Sequence, residues 1–164
     1  MIEVRPPRPR EADAALDLAL AHYGSPLIET FGASHDIRAL PCLIAVMRHT
    51  PLGAVYYTIE GDWACIVALT ATPKRRGTGS ALVLGLARTL SRHATSEPKI
   101  TRLRMAVATD NEAAVGFCQA RGWRAVARHI ADAKVHSGTG AGAKTRAHEE
   151  IEFAYDLATA VPQP

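Results

Sequence analysis

One stretch of sequence decides the fold: Pro73-Lys74-Arg75-Arg76-Gly77-Thr78-Gly79-Ser80-Ala81-Leu82. An apolar, strand-like run precedes it at residues 64–69, and a run with helical spacing follows at residues 81–90. This order points the first amides of the helix, which have no partner inside the helix, at whatever lies beyond the strand. The helix dipole adds partial positive charge there, and the glycines let the backbone approach a ligand closely. The stretch therefore predicts a cradle for a phosphate or pyrophosphate group.

Two common phosphate-binding motifs do not fit this loop. A Walker loop requires Gly, four residues and then Gly-Lys-Ser/Thr, and no such string occurs in the sequence. The dinucleotide fingerprint G-x-G-x-x-G fails because Leu82 stands where the third glycine would be. A different pattern does fit, namely Arg76-x-x-Gly79-x-Ala81, with Pro73 three residues before the arginine.

A second motif lies one predicted helix and one predicted strand further along. It reads Asn111-Glu112-Ala113-Ala114-Val115-Gly116-Phe117-Cys118-Gln119-Ala120-Arg121-Gly122-Trp123. In this order and spacing the two motifs resemble the acetyl-CoA signature and the N-x-x-A-x-x-F-Y-x-x-x-G-F stretch of the GNAT superfamily of N-acetyltransferases. The resemblance is good over residues 64–128 and holds elsewhere only by pattern. It implies an α/β (α+β) fold, with a mixed, mostly antiparallel sheet of about seven strands, about four flanking helices and a splayed parallel strand pair.

The resemblance also implies acetyl-CoA as cosubstrate and a pose for it. The pantetheine arm would enter between the splayed strands 63–69 and 101–107, with the pyrophosphate on the amides of the glycine loop. A backbone N–H near Ala68 or Leu69 would polarise the acetyl carbonyl. Asn111 has two compatible interpretations, as a helix cap and as a contact to the cofactor arm. The cofactor-binding residues implied are Leu69, Thr70, Ala71, Arg75, Arg76, Gly77, Thr78, Gly79, Ser80, Ala81, Asn111 and Phe117.

Catalytic groups are harder to assign, because Cys118 stands where the family has the tyrosine that commonly protonates the departing thiolate. Cys118 is a candidate acid, a small apolar helix residue or, least favoured, a covalent acetyl carrier. Glu60 and Asp62, which flank a predicted hairpin, are the candidate general bases. Glu29 and Asp110 are further candidates, and a water chain could serve instead. We expect no metal site, since the histidines near the C-terminus lack a ligand spacing typical of metal centres.

Composition places the chain among ordinary globular proteins. Its 164 residues, 48% hydrophobic and 21% charged, suit a single domain over residues 1–164. No apolar run is long enough for a membrane span, and the first residues lack the apolar core of a signal peptide. Three unclustered cysteines do not suggest a disulfide framework. Together these features predict a cytoplasmic protein without a membrane partner.

The sequence also makes predictions for two segments outside the motifs. Residues 27–37 are expected to form a short helix and a loop. The resemblance implies that this region lies above the acceptor pocket, so that Tyr23, Glu29 and Phe31 could touch substrate, although an ordinary packing or surface position is favoured for each of the three. Residues 131–150 carry three glycines and almost no large apolar side chain. We therefore expect a long flexible loop there, of the kind that is functional or mobile in compact domains.

Three functions compete at this point. The first is an acetyl-CoA-dependent N-acetyltransferase that acts by direct transfer on a primary amine, in a small molecule or a protein. The second is a catalytically weak or inactive acyl-CoA-binding module, which the cysteine at position 118 keeps open. The third is a nucleic-acid-binding protein, but the net charge of +3 is mild and fits an anionic cofactor better. A homodimer is expected from the resemblance alone.

Overall fold

The computed structural model describes residues 1–73, 76–92, 99–135 and 144–160, so Arg75 of the glycine loop lies outside the described residues. The elements follow in chain order: β1 (Glu3–Arg5), α1 (Pro9–Tyr23), β2 (Leu27–Thr30), β3 (Ala33–Asp36), a 3₁₀ turn (Ile37–Ala39), β4 (Cys42–Met47), β5 (Thr50–Glu60), β6 (Trp63–Ala71), α2 (Thr78–Arg92), β7 (Arg102–Ala108), α3 (Glu112–Ala120), β8 (Arg124–Val135), β9 (Lys144–Asp156) and α4 (Leu157–Ala160).

Seven strands form one mixed sheet in the order β1-β4-β5-β6-β7-β9-β8. Among these strands, β6 and β7 are the parallel pair, and the other neighbours run antiparallel. The mixed, mostly antiparallel sheet predicted from the sequence is therefore confirmed. None of the helices that the structure describes is long and apolar enough to cross a membrane.

The parallel pair separates part of the way along. Pairing between β6 and β7 runs from Trp63↔Arg102 to Ile66↔Met105 and then stops, although both strands continue. On its other side β6 stays paired with β5, but Val67 has no partner there, because Tyr56 opposes Ala68 and Tyr57 opposes Ile66. Such a bulge bends its strand and increases its twist. The splayed strand pair of the sequence prediction is thus present, and it leaves one edge of β6 open beyond Ile66.

Hydrophobic layers cover both faces of the sheet. On one face, the apolar side of α2, represented by Leu82 and Leu86, packs on Leu43, Val55 and other alternate residues of the strands. On the opposite face, Ala15 and Ala19 of α1 pack against the intervening residues of β4 and β5. Since consecutive side chains of a strand point to opposite faces, the continuous apolar runs of β4 to β6 serve both layers.

The end of α1 is fixed by its sequence. Tyr23 is the last helical residue, and Gly24 adopts a left-handed conformation (φ 75°) and donates its N–H to the Leu20 carbonyl. Glycine reaches this conformation without the steric cost of a Cβ atom. The cap therefore sets where the Tyr23 side chain leaves the helix.

The helix expected within residues 27–37 is wrong. Strands β2 and β3 form a separate hairpin with Leu27 opposite Asp36 and Thr30 opposite Ala33. Its two turn residues, Phe31 and Gly32, have φ angles of 51° and 72°. Positive φ at both positions is typical of the two-residue hairpin turn that the strand twist favours. The usual sequence signal for that turn is Asn-Gly or Asp-Gly, and a phenylalanine in the first position concealed it.

The long loop expected at residues 131–150 is also shorter than predicted. Strand β8 continues to Val135 and β9 begins at Lys144, with Ala131 opposite His148 in the pairing. Backbone hydrogen bonds hold such a hairpin, and the alternation of large apolar side chains that would have revealed it is absent from this part of the sequence. What remains of the predicted loop, residues 136–143, lies outside the described part of the chain.

Helix α2 approaches the edge strand β1 closely at Gly85, which makes a first test of the packing. A Cβ atom at Gly85 would collide with Cγ1 of Val4. Overpacking a core contact costs about 1–3 kcal/mol, which exceeds the gain of up to ~1 kcal/mol that alanine brings to a helix. We expect Gly85→Ala to lower the free energy of unfolding, measured by urea titration.

The matched control is Gly116→Ala on α3, where an added Cβ would meet nothing within 4 Å. This variant should be neutral or slightly more stable than the wild type, because only helix propensity changes. Equal stability of the two variants would contradict the packing of α2 on β1.

Candidate functional site

A cleft of about 1110 Å³ opens where β6 and β7 separate. The C-terminal halves of these strands line it, together with the N-terminus of α2, the first turns of α3, the end of α1 and the β2–β3 hairpin. Ligand sites of α/β sheets commonly lie at such a point beyond the carboxyl ends of parallel strands. The cleft therefore unites both motifs of the sequence analysis with residues that are remote from them in the chain.

The glycine loop forms the N-terminus of α2 as predicted. Gly77 has a φ of 80°, a left-handed conformation that glycine tolerates, and its carbonyl accepts the first helical hydrogen bond, from Ala81 N–H at 2.9 Å. The amides of Thr78, Gly79 and Ser80 precede that bond, so they have no acceptor within the helix. Gly77, Gly79 and Ser80 line the cleft. This arrangement can receive an anionic group.

The two motifs are in direct contact. The Arg121 guanidinium lies 3.8 Å from the centre of the Phe117 ring and donates from Nε to Ser80 Oγ at 2.6 Å. An added Cβ at Gly79 would lie 3.1 Å from Cε2 of Phe117. Glycine at this position thus allows α2 and α3 to approach each other. Arg121 also lines the cleft, a placement that the sequence analysis missed because it considered only the cations of the loop.

Asn111 caps α3, as one of its two interpretations predicted. Its side-chain oxygen accepts a hydrogen bond from the Ala114 N–H at 3.2 Å. The residue also lines the cleft, as does Phe117. A contact from Asn111 to a cofactor arm stays a prediction.

The three strand residues predicted to meet the cofactor differ in orientation. Leu69 and Ala71 line the cleft. Thr70 is buried at 4% exposure, and its hydroxyl is directed at the Ala54 carbonyl of β5, 3.5 Å away. Only the backbone of Thr70 could therefore contribute to binding along the edge of β6.

Tyr23 reaches the same edge from the end of α1. Its hydroxyl accepts a hydrogen bond from the Leu69 N–H at 3.0 Å and donates one to the Leu69 carbonyl at 3.3 Å. The tyrosine as a whole is 36% exposed. Burial nevertheless raises the pKa of its hydroxyl above the usual value, an effect that the hydrogen bond from Leu69 partly offsets.

Cys118 does not line the cleft. Its side chain is fully buried in the hydrophobic core beneath α3, and desolvation there raises the pKa of the thiol to about 12. A thiol of this kind is neither a ready proton donor to a ligand outside the core nor a nucleophile. The placement favours the structural interpretation of Cys118 and gives no support to a catalytic one.

Glu60 and Asp62 lie at the other end of β6, before its first residue. Asp62 accepts a hydrogen bond from Thr101 Oγ1 at 3.0 Å and lies 3.9 Å from Arg102, so it joins this turn to the start of β7. At about 3.3 Å per strand residue, the turn is roughly 20 Å from Leu69. Neither carboxylate is among the residues lining the cleft, and the geometry gives no support to their predicted role as bases.

The carboxylates that do line the cleft are Glu29, Glu112 and Glu150. Glu150 is the most buried, at 8% exposure. Its Oε1 lies 2.8 Å from His148 Nε2, and its Oε2 lies 3.3 Å from His129 Nε2. Sequence reasoning missed Glu150 because it assigned the residue to a loop, whereas β9 fixes it opposite Ala108 at the end of β7. Within the described ranges, no group of three His, Cys, Asp or Glu side chains could hold a metal ion.

Comparison with solved structures confirms the fold. The E. coli ribosomal-protein-S18-alanine N-acetyltransferase matches 100% of this chain and 99% of its own at 14% identity, with a TM-score of 0.63. A GNAT-family acetyltransferase from Streptococcus pneumoniae matches 95% and 99% (15% identity, TM-score 0.63). An N-acetyltransferase from Staphylococcus aureus Mu50 matches 96% and 98% (15% identity, TM-score 0.68).

The chain therefore has the GNAT fold over almost its entire length, as the two motifs predicted. No protein-family model matches the sequence, and no curated protein matches it. At these sequence identities, the similarity shows the fold and does not show the activity.

The contact between Gly79 and Phe117 gives the second test. Valine at position 79 would place a branched side chain between the cradle amides and the Phe117 ring. We expect Gly79→Val to weaken acetyl-CoA binding roughly tenfold or more, since overpacking of about 1–3 kcal/mol falls directly on the binding site. Isothermal titration calorimetry measures the change.

Leu84→Val is the matched control, because it adds the same β-branched residue to an exposed position of the same helix. Its affinity for acetyl-CoA should equal that of the wild type. Unchanged affinity in Gly79→Val would show that the cofactor does not use this loop.

Proposed function

We propose that the protein is an N-acetyltransferase that transfers the acetyl group of acetyl-CoA directly to a primary amine in a ternary complex. The observation that carries this proposal is the open edge of β6 beyond Ile66, which lies beside the amide terminus of α2 in one cleft. An extended, hydrogen-bonding arm and a pyrophosphate would fit these two features at the same time. Acetyl-CoA has both groups, joined in one molecule.

The cofactor is proposed to bind along this edge. Its pantetheine arm would pair with the backbone of Leu69 to Ala71 as an added strand does. Its pyrophosphate would accept hydrogen bonds from the amides of Thr78 to Ser80, where the helix dipole favours negative charge. Arg76, which is exposed beside the loop, and Arg121 would add positive charge.

In the proposed acetyl transfer, the main contribution of the cleft is to position the two reactants. Holding the thioester and the amine together in one cleft can supply a large part of the rate enhancement. The Leu69 N–H, once the ligand has displaced the Tyr23 hydroxyl from it, would donate to the thioester oxygen as negative charge develops there. The amine must lose a proton, and we assign the acceptor role to Glu150, the buried carboxylate of the cleft. His148 and His129 would then lead the proton from Glu150 toward solvent.

A second candidate is an acyl-CoA-binding module without significant turnover. One observation favours it: at the position of the family's usual acid, Cys118 is buried in the core. The cradle would then hold the cofactor without any group at that position to protonate the thiolate. The two candidates differ in turnover and agree on cofactor binding.

We further propose that the chain acts as one domain, in the cytoplasm, as a homodimer and without a nucleic-acid or membrane partner. All three cysteines are free thiols, which suits a reducing compartment. Edge strand β8 exposes Val126 and Ile130, which could contact a second copy. On the sheet, Arg104 and Arg128 are each paired with a glutamate, which reduces the positive charge available to a polyanion.

The direct test is thiol release from acetyl-CoA in the presence of a panel of amines that includes diamines, amino acids, aminoglycosides and peptides with free N-termini. We expect turnover with at least one class of amine. Replacing Glu150 by Gln should then lower kcat/KM by roughly 10²-fold or more, which is the usual contribution of a general base.

Glu149→Gln is the control, because Glu149 is the neighbouring residue, pairs with Arg128 and does not line the cleft. It should retain the activity of the wild type. Tight acetyl-CoA binding without turnover on any amine would instead establish the second candidate. Equal activity of the two glutamate variants would remove Glu150 from the mechanism.

A further inference from the structure

We propose that the acceptor is an aliphatic diamine, and that Glu29 selects it by pairing with the amino group that does not react. The inference rests on the proposed function, because it names the substrate class of the same cleft. It makes Glu29, on the β2–β3 hairpin, a specificity-determining residue.

The cleft reaches both faces of the sheet. Met105 and Val107 of β7 belong to the core on the face that α2 covers, and the N-terminus of α2 borders the cleft there. The alternate residues Ala106 and Ala108 also line the cleft, and in a strand they face the opposite side, on which α1 packs. The pyrophosphate of acetyl-CoA is proposed to lie on the α2 side. The acceptor therefore has the α1 side, which the hairpin borders.

The α1 side of the cleft carries negative charge. Glu150 lies directly opposite Ala108 in the β7–β9 pairing, so both side chains point to this side. Glu29 lines the cleft from the hairpin. Among the described residues that line the cleft, Arg121 is the one lysine or arginine, and its hydrogen bond to Ser80 holds it at the cradle. Such a distribution of charge favours a cationic acceptor.

Glu29 differs from the other two glutamates of the cleft in its partners. Glu150 lies against two histidines, and Glu112 lies in the first turn of α3, where the helix dipole favours a negative charge. In the described part of the chain, no hydrogen bond or ion pair involves the Glu29 side chain. Ser34, opposite it in the hairpin, is short and also lines the cleft. The carboxylate is thus open to a charged ligand.

Apolar side chains line the same side of the cleft. Ile28, next to Glu29, packs on the core cluster that contains Val67, and both residues line the cleft. Leu27, two positions from Glu29 in the strand, lines it as well and is 53% exposed. A diamine fits this combination, because its alkyl chain can cover the apolar surface while its two ends meet Glu150 and Glu29. A monoamine would leave Glu29 unpaired, and an amino acid would bring a second carboxylate toward it.

The second amino group takes no part in the bond changes. The reacting nitrogen forms a bond to the acetyl carbon, and the carbon–sulfur bond breaks with its electron pair on sulfur. Glu150 takes one proton from the nitrogen and releases it to solvent, and the thiolate gains one proton from solvent. The products are the monoacetylated diamine and the free thiol of CoA, and the second ammonium group keeps its proton throughout.

Glu29→Gln tests the selection, because it removes the charge and keeps the size of the side chain. The acceptors are aliphatic diamines of increasing chain length, each compared with the n-alkyl monoamine and the ω-amino acid of equal length. We expect KM for the diamines to rise roughly fivefold, the upper range for an exposed ion pair, with kcat little changed. KM for the monoamines should stay the same, and the effect on the diamines should shrink as the salt concentration rises.

A charge reversal separates recognition from packing. Glu29→Lys should weaken diamines further and improve KM for the ω-amino acids, an exchange of preference that a merely structural side chain would not produce. Asp17→Asn is the matched control, because it removes an exposed charge from α1 outside the cleft. It should keep the KM of the wild type for all three kinds of acceptor. Thermal melting of each variant checks that it is folded.

Binding of the diamine is also measured without turnover, by calorimetry on protein saturated with CoA. Glu29→Gln should again lose roughly fivefold in affinity. Turnover with equal KM for diamines in the wild type and Glu29→Gln would refute the role of Glu29 and leave the proposed function intact. Diamine binding that depends on Glu29, without turnover of any amine, would support its role as a diamine-binding residue and refute the proposed function. No binding of any diamine to the CoA complex would refute the inference.

Discussion

Everything in this cleft depends on one interruption of backbone pairing. Parallel strands β6 and β7 are hydrogen-bonded as far as Ile66 and Met105 and no further. The unpaired Val67 bends β6 at the same place. A strand edge without a partner strand leaves amides and carbonyls that other groups have to satisfy. In this structure the Tyr23 hydroxyl satisfies those of Leu69, and a bound arm of the cofactor is proposed to do the same.

The sequence predicted the parts of the fold that rest on local chemistry. Glycines predicted the loop before α2, and an asparagine predicted the cap of α3. Continuous apolar runs predicted the buried strands. The β2–β3 hairpin was missed because Phe31 occupies a turn position where asparagine or aspartate is the usual signal. The far ends of β8 and β9 were missed because backbone pairing alone holds them, without an apolar pattern. In both cases the deciding interaction joins main-chain atoms, which the side-chain pattern does not reveal.

In the candidate site, too, some residues could be predicted from the sequence and others could not. Most of the proposed cofactor-binding residues lie close together in sequence, so a motif can identify them. Other residues of the cleft come from distant segments, and Glu150, the base we propose, belongs to neither motif. Cys118 illustrates the converse, because its place in a motif made it a catalytic candidate while its burial directs the thiol into the core. Glu60 and Asp62 were predicted to be bases because they lie close to β6 in sequence. They lie at the N-terminal end of β6, whereas the cleft lies at its C-terminal end.

The central claim is that the open edge of β6 and the terminus of α2 together bind acetyl-CoA. Thermal melting with acetyl-CoA, with CoA and with ATP as control tests it most directly. At a hundred times its dissociation constant, a ligand adds about 2.7 kcal/mol of stability, which should raise the melting temperature of a domain of this size by roughly 5–10 °C. We predict this rise with both CoA species and little change with ATP. No rise with either CoA species would contradict the account, and an equal rise with ATP would show a site for phosphates in general.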